Sequence, residues 1–467
     1  MTSQTRPYGP KPRPAPVPSG AAGASVPAHP ASHRYLGRII AGSLTTGIVT
    51  ALLLATAPFV PADEDGVTGA VLIGFAVGWA MLAALSTRYT SAPQRWAAAP
   101  AAFMSLSGLT LLTLGSAVHP GLDWIWPPAA LLLAAWTTRR VRRLPSRSGR
   151  RQLLAVVALL ALASVGAGYQ TVAQAADSRA LSMPGRLVDV GGHRLHLTCT
   201  GSGTPTVVLE PGAGEMAANL GWITPAVARS TRVCAYDRAG RGWSDPAGAP
   251  QSGARIADDL HTLLHRAGVP GPYVLAGHSF GGLYVLTFAD RYPDEVAGMV
   301  LVDTTAPTTT DAPSTARTED EGDTLRRVSA LLSTTSRLGL GRLYAGSAFG
   351  DLPEQARADV RASAATPGTV RSTLDEYLMG SASMRDAAAL TSFGDKPLAV
   401  LTAGANSSAT WLTAQDRLAA LSTNTVHHIV DGATHEDLVA VQQYAAITSR
   451  AISDVVISAR TGQPINR

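Results

Sequence analysis

The sequence predicts two fold classes in one chain: an all-α transmembrane bundle of five helices, then an α/β domain on a mostly parallel eight-stranded sheet with a helical insertion. Three observations predict it. Between residues 34 and 170 lie five apolar segments with almost no charge inside them. From residue 186 onward, short β-branched runs alternate with stretches of helical spacing, as in a parallel sheet covered on both faces. One such run, Tyr273–Ala276, leads through Gly277-His278-Ser279-Phe280-Gly281-Gly282 directly into a helical pattern.

Composition separates the two parts. The chain has 467 residues, too long for one ordinary domain. Charged residues make up 15%, against about 25% in soluble proteins, and the deficit is confined to the nearly acid-free first third. A net charge of +5 would suit nucleic acid, but seven arginines crowd between Arg139 and Arg151, where membrane topology explains them better. The two cysteines, Cys199 and Cys234, lack metal-ligand spacing, and no metal or organic cofactor is implied.

Residues 1–33 are rich in Pro, Ala, Ser and Gly and are expected to be a disordered cytoplasmic tail without the features of a cleaved signal peptide. The apolar segments run Tyr35–Val60, Gly66–Leu85, Ala97–Val118, Leu122–Thr138 and Leu153–Tyr169. Each approaches the ~20 residues that cross a ~30 Å hydrocarbon core. Basic residues fill the tail, the second loop (Arg88, Arg95) and the fourth loop (Arg139–Arg151), whereas the first loop holds Asp63-Glu64-Asp65 and the third His119 and Asp123. By the Lys/Arg bias of short loops, the N-terminus is cytoplasmic and everything after residue 170 lies outside the cytoplasmic membrane. No ionisable residue sits deep in the spans, which disfavours a transporter and favours an anchor in the lipid bilayer.

Residues 171–185 read as a linker. Leu187–Val190 and His193–Cys199 around Gly191-Gly192 form a hairpin. Thr206–Glu210, Thr231–Tyr236, Tyr273–Ala276, Val300–Val302, Leu398–Leu401 and Val426–Val430 follow as strands three to eight, with a helix at Ile256–Leu264 and a last one over Glu436–Ala459. The stretch of about 306–393 lacks strands and looks helical.

The G-x-S-x-G turn between strand five and a helix is the arrangement that exposes a nucleophilic serine, Ser279, on a strained bend. Through it the chain, over 186–467, resembles the α/β-hydrolase family. The resemblance implies a base after strand eight, which is His435 in Asp431-Gly-Ala-Thr-His435, while His427 and His428 inside that strand are packing residues and His278 is structural. It implies an acid after strand seven, but Gly404-Ala-Asn-Ser-Ser408 holds no carboxylate. Asp303, ending strand six, is the preferred substitute, as in some members; Asp416, on the helix after strand seven, is the alternative. The oxyanion would be held by the N–H groups of Phe280 and, in Pro211-Gly-Ala213 after strand three, of Ala213. The loop Asp237–Asp245 would shape the pocket wall. The 306–393 insertion would be a cap over the site. Cys199 and Cys234 would lie on neighbouring strands, either disulfide-bonded or as two small buried side chains.

The resulting expectation is a membrane-anchored serine hydrolase that cleaves carboxylic esters, with amides or lactones open, through a Ser-His-Asp acyl-enzyme. Its partners would be a small acyl substrate and the bilayer, without nucleic acid. The competing expectation is a non-catalytic membrane receptor or scaffold that retains the fold.

Overall fold

The computed structural model describes residues 9, 30–307, 319–405 and 407–465. The expected disordered tail thus lies outside the described residues, apart from residue 9 and the start of the first helix at residue 30.

The apolar segments form α1 (Pro30–Ala55), α2 (Glu64–Tyr89), α3 (Ala98–Leu114), α4 (His119–Val141) and α5 (Arg147–Ala180). Close α1–α2 packing follows from small residues: a Cβ on Gly78 would stand 2.9 Å from the Gly47 backbone. Five separate helical spans were expected; among the described residues, four helical stretches are long and apolar enough to cross a membrane. The third, Arg95–Val141, joins expected spans three and four. Only a 3-10 turn, Gly115–Val118, divides it, so no irregular loop intervenes. Gly115, at φ 55°, reverses the chain there. Phe103 and Trp126 consequently lie 6.1 Å apart, and His119 Nε2 meets Asp65 at the start of α2 (2.6 Å).

The linker expected at 171–185 is corrected as well, because α5 continues to Ala180. Residues 171–180 are alanine-rich and helix-prone. They are also braced laterally: Thr171 donates to Asp123 O (3.0 Å), and Arg342 pairs with Asp177 (2.7 Å).

The second domain holds β1 (Arg186–Asp189), β2 (Arg194–Thr200), β3 (Thr206–Glu210), α6 (Ile223–Val227), β4 (Val233–Asp237), α7 (Gly253–Arg266), β5 (Tyr273–His278), α8 (Phe280–Arg291) and β6 (Val296–Val302). The insertion follows as α9 (Glu319–Arg337), α10 (Leu340–Ser347), α11 (Glu354–Ala364), α12 (Pro367–Leu378) and α13 (Gly380–Ala387). The fold closes with β7 (Leu398–Ala403), α14 (Ala409–Ala419), β8 (Thr425–Val430), α15 (Asp437–Ala440) and α16 (Gln442–Thr461). The last helix was expected unbroken from Glu436; extended backbone at Val441 splits it.

The eight strands form one sheet in the order β1-β2-β4-β3-β5-β6-β7-β8, antiparallel at β1–β2–β4 and parallel beyond. Because β3 to β7 are covered on both faces, they are almost wholly apolar and buried. One face packs Leu260, Leu264, Leu283 and Phe288 of α7 and α8; the other packs Ile223, Ile452 and Val455 of α6 and α16. Cys199 and Cys234 face each other across β2 and β4 and are joined by a disulfide.

Candidate active site

The site lies at the C-terminal ends of the parallel strands, where this topology leaves a crevice. Ser279 joins β5 to α8 with φ 54° and ψ −121°, a conformation a non-glycine side chain adopts only when the surroundings enforce it. The enforcement is visible. Ser279 N–H donates to Val302 O (3.0 Å), while its carbonyl accepts from Gly282 (3.1 Å) and Thr305 (3.2 Å). A Cβ at Gly277 would reach 2.6 Å from Gly281 O, and one at Gly281 would reach 2.6 Å from Pro211 O. The bend can therefore close only with glycine at both positions. Its N-terminal helix end favours negative charge at the serine.

His435 sits in the turn after β8, half-exposed, with Nδ1 donating to Asp303 Oδ2 at 2.6 Å. Asp303, at the end of β6, is buried and also has a positive φ of 42°. Its other oxygen accepts from Trp411 Nε1 (2.8 Å) and Ala403 N–H (3.2 Å). Burial alone would push this carboxyl up, but the bonds from His435 and Trp411 outweigh it and hold it below its ordinary value. The bond to Asp303 occupies Nδ1 of His435, orients the ring and leaves Nε2 as the nitrogen open to a reacting group. Among the described residues, neither the Ser279 hydroxyl nor His435 Nε2 makes a hydrogen bond, so the His435 side chain is held through Nδ1 alone.

The alternative acid is not brought to this site. Asp416 instead meets His427 Nδ1 (2.8 Å), where α14 covers the edge strand β8. His427, expected as a packing residue, thus has a polar role, its Nε2 also meeting Thr402 (2.8 Å).

The loop after β3 spends nearly all its N–H groups. Gly212 donates to Glu215 (2.5 Å), Gly214 to Glu376 (2.8 Å) and Glu215 to Gly212 O (3.1 Å), leaving that of Ala213. The N–H of Phe280, first in α8, is also unspent. The two stand on abutting segments, since α8 packs at Gly281 against the carbonyls of Glu210 and Pro211. Together they can hold a negatively charged oxygen beside Ser279.

Three supports have partners that sequence reasoning did not supply, although a structural role for His278 was expected. His278 is buried, and both of its ring nitrogens face acceptors: Glu215 (3.0 Å) and His435 O (3.1 Å). Burial works against its protonation, but Glu215 prevails and holds its pKa above the ordinary value. His278 therefore ties the turn of His435 to the loop of Ala213. Secondly, Arg238 links Glu210 (2.6 Å), Glu376 (2.8 Å), Pro211 O (2.7 Å) and Gly212 O (2.6 Å), all buried, so a cap residue helps hold the loop. Thirdly, Trp411 orients Asp303. Nothing in sequence links Glu376 to Arg238, 138 positions away.

Cap helix α12 roofs the site, with Tyr377 edge-on to Phe280 at 5.5 Å. Among the described residues, His261, His265 and Glu295 place three potential metal-ligating atoms within 4.8 Å of one another. They lie at the opposite end of the strands, and both histidines bond Glu295 Oε1 directly (3.0 and 3.1 Å).

A serine strained at the tip of a central parallel strand, under a helical cap and beside an Asp-held histidine, defines the α/β-hydrolase class. The sequence model of the alpha/beta hydrolase fold matches residues 205–438, half of the chain, and the chain belongs to that family. An uncharacterized protein of Schizosaccharomyces pombe is 30% identical over 354 residues, 68% of this chain and 62% of that protein. An uncharacterized vacuolar membrane protein of Saccharomyces cerevisiae is 31% identical over 131 residues, 24% of this chain and 20% of that one. The chain thus spans less than two thirds of either relative. Among solved structures, a thermophilic esterase from Thermogutta terrifontis is similar at 23% identity and a TM-score of 0.44, covering 58% of this chain and 95% of that one.

Proposed function

We propose that the protein is a membrane-anchored serine hydrolase of carboxylic esters. The observation that carries this reading is the 2.6 Å bond between Asp303 and His435, beside a serine on an enforced bend with two unspent N–H groups nearby. Ser279 Oγ attacks the acyl carbonyl as His435 Nε2 takes its proton. The N–H groups of Phe280 and Ala213 hold the oxyanion, and His435 returns the proton to the leaving alcohol. Water, deprotonated by the same nitrogen, then releases the acid and restores the serine.

The apolar stretches and the vacuolar membrane relative favour a membrane location. An extracytoplasmic hydrolase domain is supported by the charges. Arg88, Arg95 and Arg139–Arg151 flank one end of the bundle, whereas the domain seats on Glu64 and Asp123 at the other. The disulfide suits an oxidising compartment. A site roofed by helices beside the spans suits amphiphilic esters. An ester panel tests both levels: wild type hydrolyses esters and Ser279→Ala does not, with long acyl chains preferred. Absence of ester turnover by folded wild type overturns the activity; equal turnover of short soluble and long-chain esters overturns only the amphiphile preference.

A further inference from the structure

Helices α9 and α10 are amphipathic the wrong way round for water. A soluble surface helix buries its apolar stripe and exposes polar residues. In α9 the buried stripe is polar. Arg327 donates to the carbonyls of Ala55 and Val60 (both 2.9 Å), Ser333 to Glu64 (2.6 Å), and Arg337 pairs with Glu64 and Asp123. The outward stripe is Val328, Leu331 and Leu332, and in α10 it is Leu340, Leu343 and Tyr344, each 44–69% exposed. The inward side of α10 again carries the charge, Arg342 on Asp177.

This patch is continuous with the bundle's outer surface. At one end α9 grips the residues flanking Phe59, which is 78% exposed. At the other, the Leu338 carbonyl packs directly on Gly166, inside the apolar part of α5 and beside exposed Leu162, Val165 and Tyr169. Leu338 leads straight into α10, so its apolar face starts at the depth of a spanning helix.

We infer that α9 and α10 lie in the bilayer interface, their outward leucines among the lipid acyl chains, so that the cap is itself a membrane-embedded element. This rests on the reading that the apolar stretches span a bilayer. The bilayer is favoured over a second copy of the chain because the patch runs without a break into surface those spans already present to lipid. It also gives the cap a fixed reference: α9 meets α12 through Ser333 and the Pro367 carbonyl (3.4 Å), and α12 supplies Glu376 to the Ala213 loop.

The test uses full-length protein in phosphatidylcholine–phosphatidylglycerol nanodiscs with nitroxide-labelled lipids. Bimane is placed on Leu331→Cys, Leu343→Cys or Val328→Cys, with Leu162→Cys as the span control and Glu354→Cys as the exposed cap control. The native cysteines, being disulfide-bonded, do not react. Quenching at 328, 331 and 343 several-fold above that at 354, and near that at 162, is expected. Quenching at 162 with none at 328, 331 and 343 overturns the inference and spares the spans. Absence at 162 overturns both. Shielding of 331 and 343 that appears only as protein concentration rises assigns the patch to a second copy and also overturns the inference.

Discussion

Asp303 and His435, 132 positions apart, meet in a 2.6 Å hydrogen bond that neither residue's own loop could maintain alone. The carboxylate is aimed by Trp411 and the Ala403 amide, and the imidazole rides on a turn tied to His278. The relationship makes a specific kinetic prediction. Asp303→Asn, which leaves the shape intact but favours the wrong tautomer, lowers kcat by roughly 10³–10⁴-fold. Asp416→Asn, at the edge of the sheet, changes it by less than about threefold. Steady-state ester hydrolysis by the two variants, side by side, checks both.

Trp411 gives a stability prediction with a sign. Because the Asp303 carboxyl is held below its ordinary value, its contribution to stability is complete above the unfolded carboxyl's pKa and is lost as pH falls through the folded one. Trp411→Phe removes one donor, costs about 1.5–3 kcal/mol, and moves the acid limb of unfolding to higher pH. Denaturant titrations between pH 3 and 7 read both effects, with pH limits set around the reference carboxylate pKa of roughly 4.

Glu210 behaves oppositely. Burial pushes its carboxyl up to about 7, although Arg238 and the Tyr236 hydroxyl both oppose the shift. A raised acid stabilises most below its unfolded pKa, and that contribution declines as pH rises through 7. Wild type should therefore lose stability between pH 5 and 7 more steeply than Glu210→Gln. Parallel slopes for the two proteins in thermal melts would contradict this.

Glu376 joins the helical insertion to the Ala213 loop through Arg238, Arg241 (both 2.8 Å) and Gly214 N–H (2.8 Å). Glu376→Gln leaves two buried guanidinium groups without this partner and destabilises the fold by about 3–5 kcal/mol. Chemical denaturation supplies the number, and a drop in kcat for a short ester shows that the loop has loosened with it.

Much of this was legible locally. The strand–turn–helix around Ser279 announces itself because its glycines and apolar run are contiguous, and β3 appears over the expected Thr206–Glu210. Asp303 was legible only as one of two options, since the choice depends on which carboxylate the sheet order carries toward β8. The glycine reversal at 115 was hidden inside apolar sequence, and the continuation of α5 past Gln170 depends on side contacts with α4 and α10. Trp411, Glu215 and Glu376 were silent because nothing in their neighbourhoods reveals the partners that tertiary structure brings.

The central claim, that Ser279 is a nucleophile armed by His435, is tested most directly with a fluorophosphonate and peptide mass analysis. The account predicts one adduct on Ser279 in wild type, none in Ser279→Ala, and slowed labelling in His435→Ala. A folded wild type that forms no adduct, or one that carries it on another residue, would contradict it.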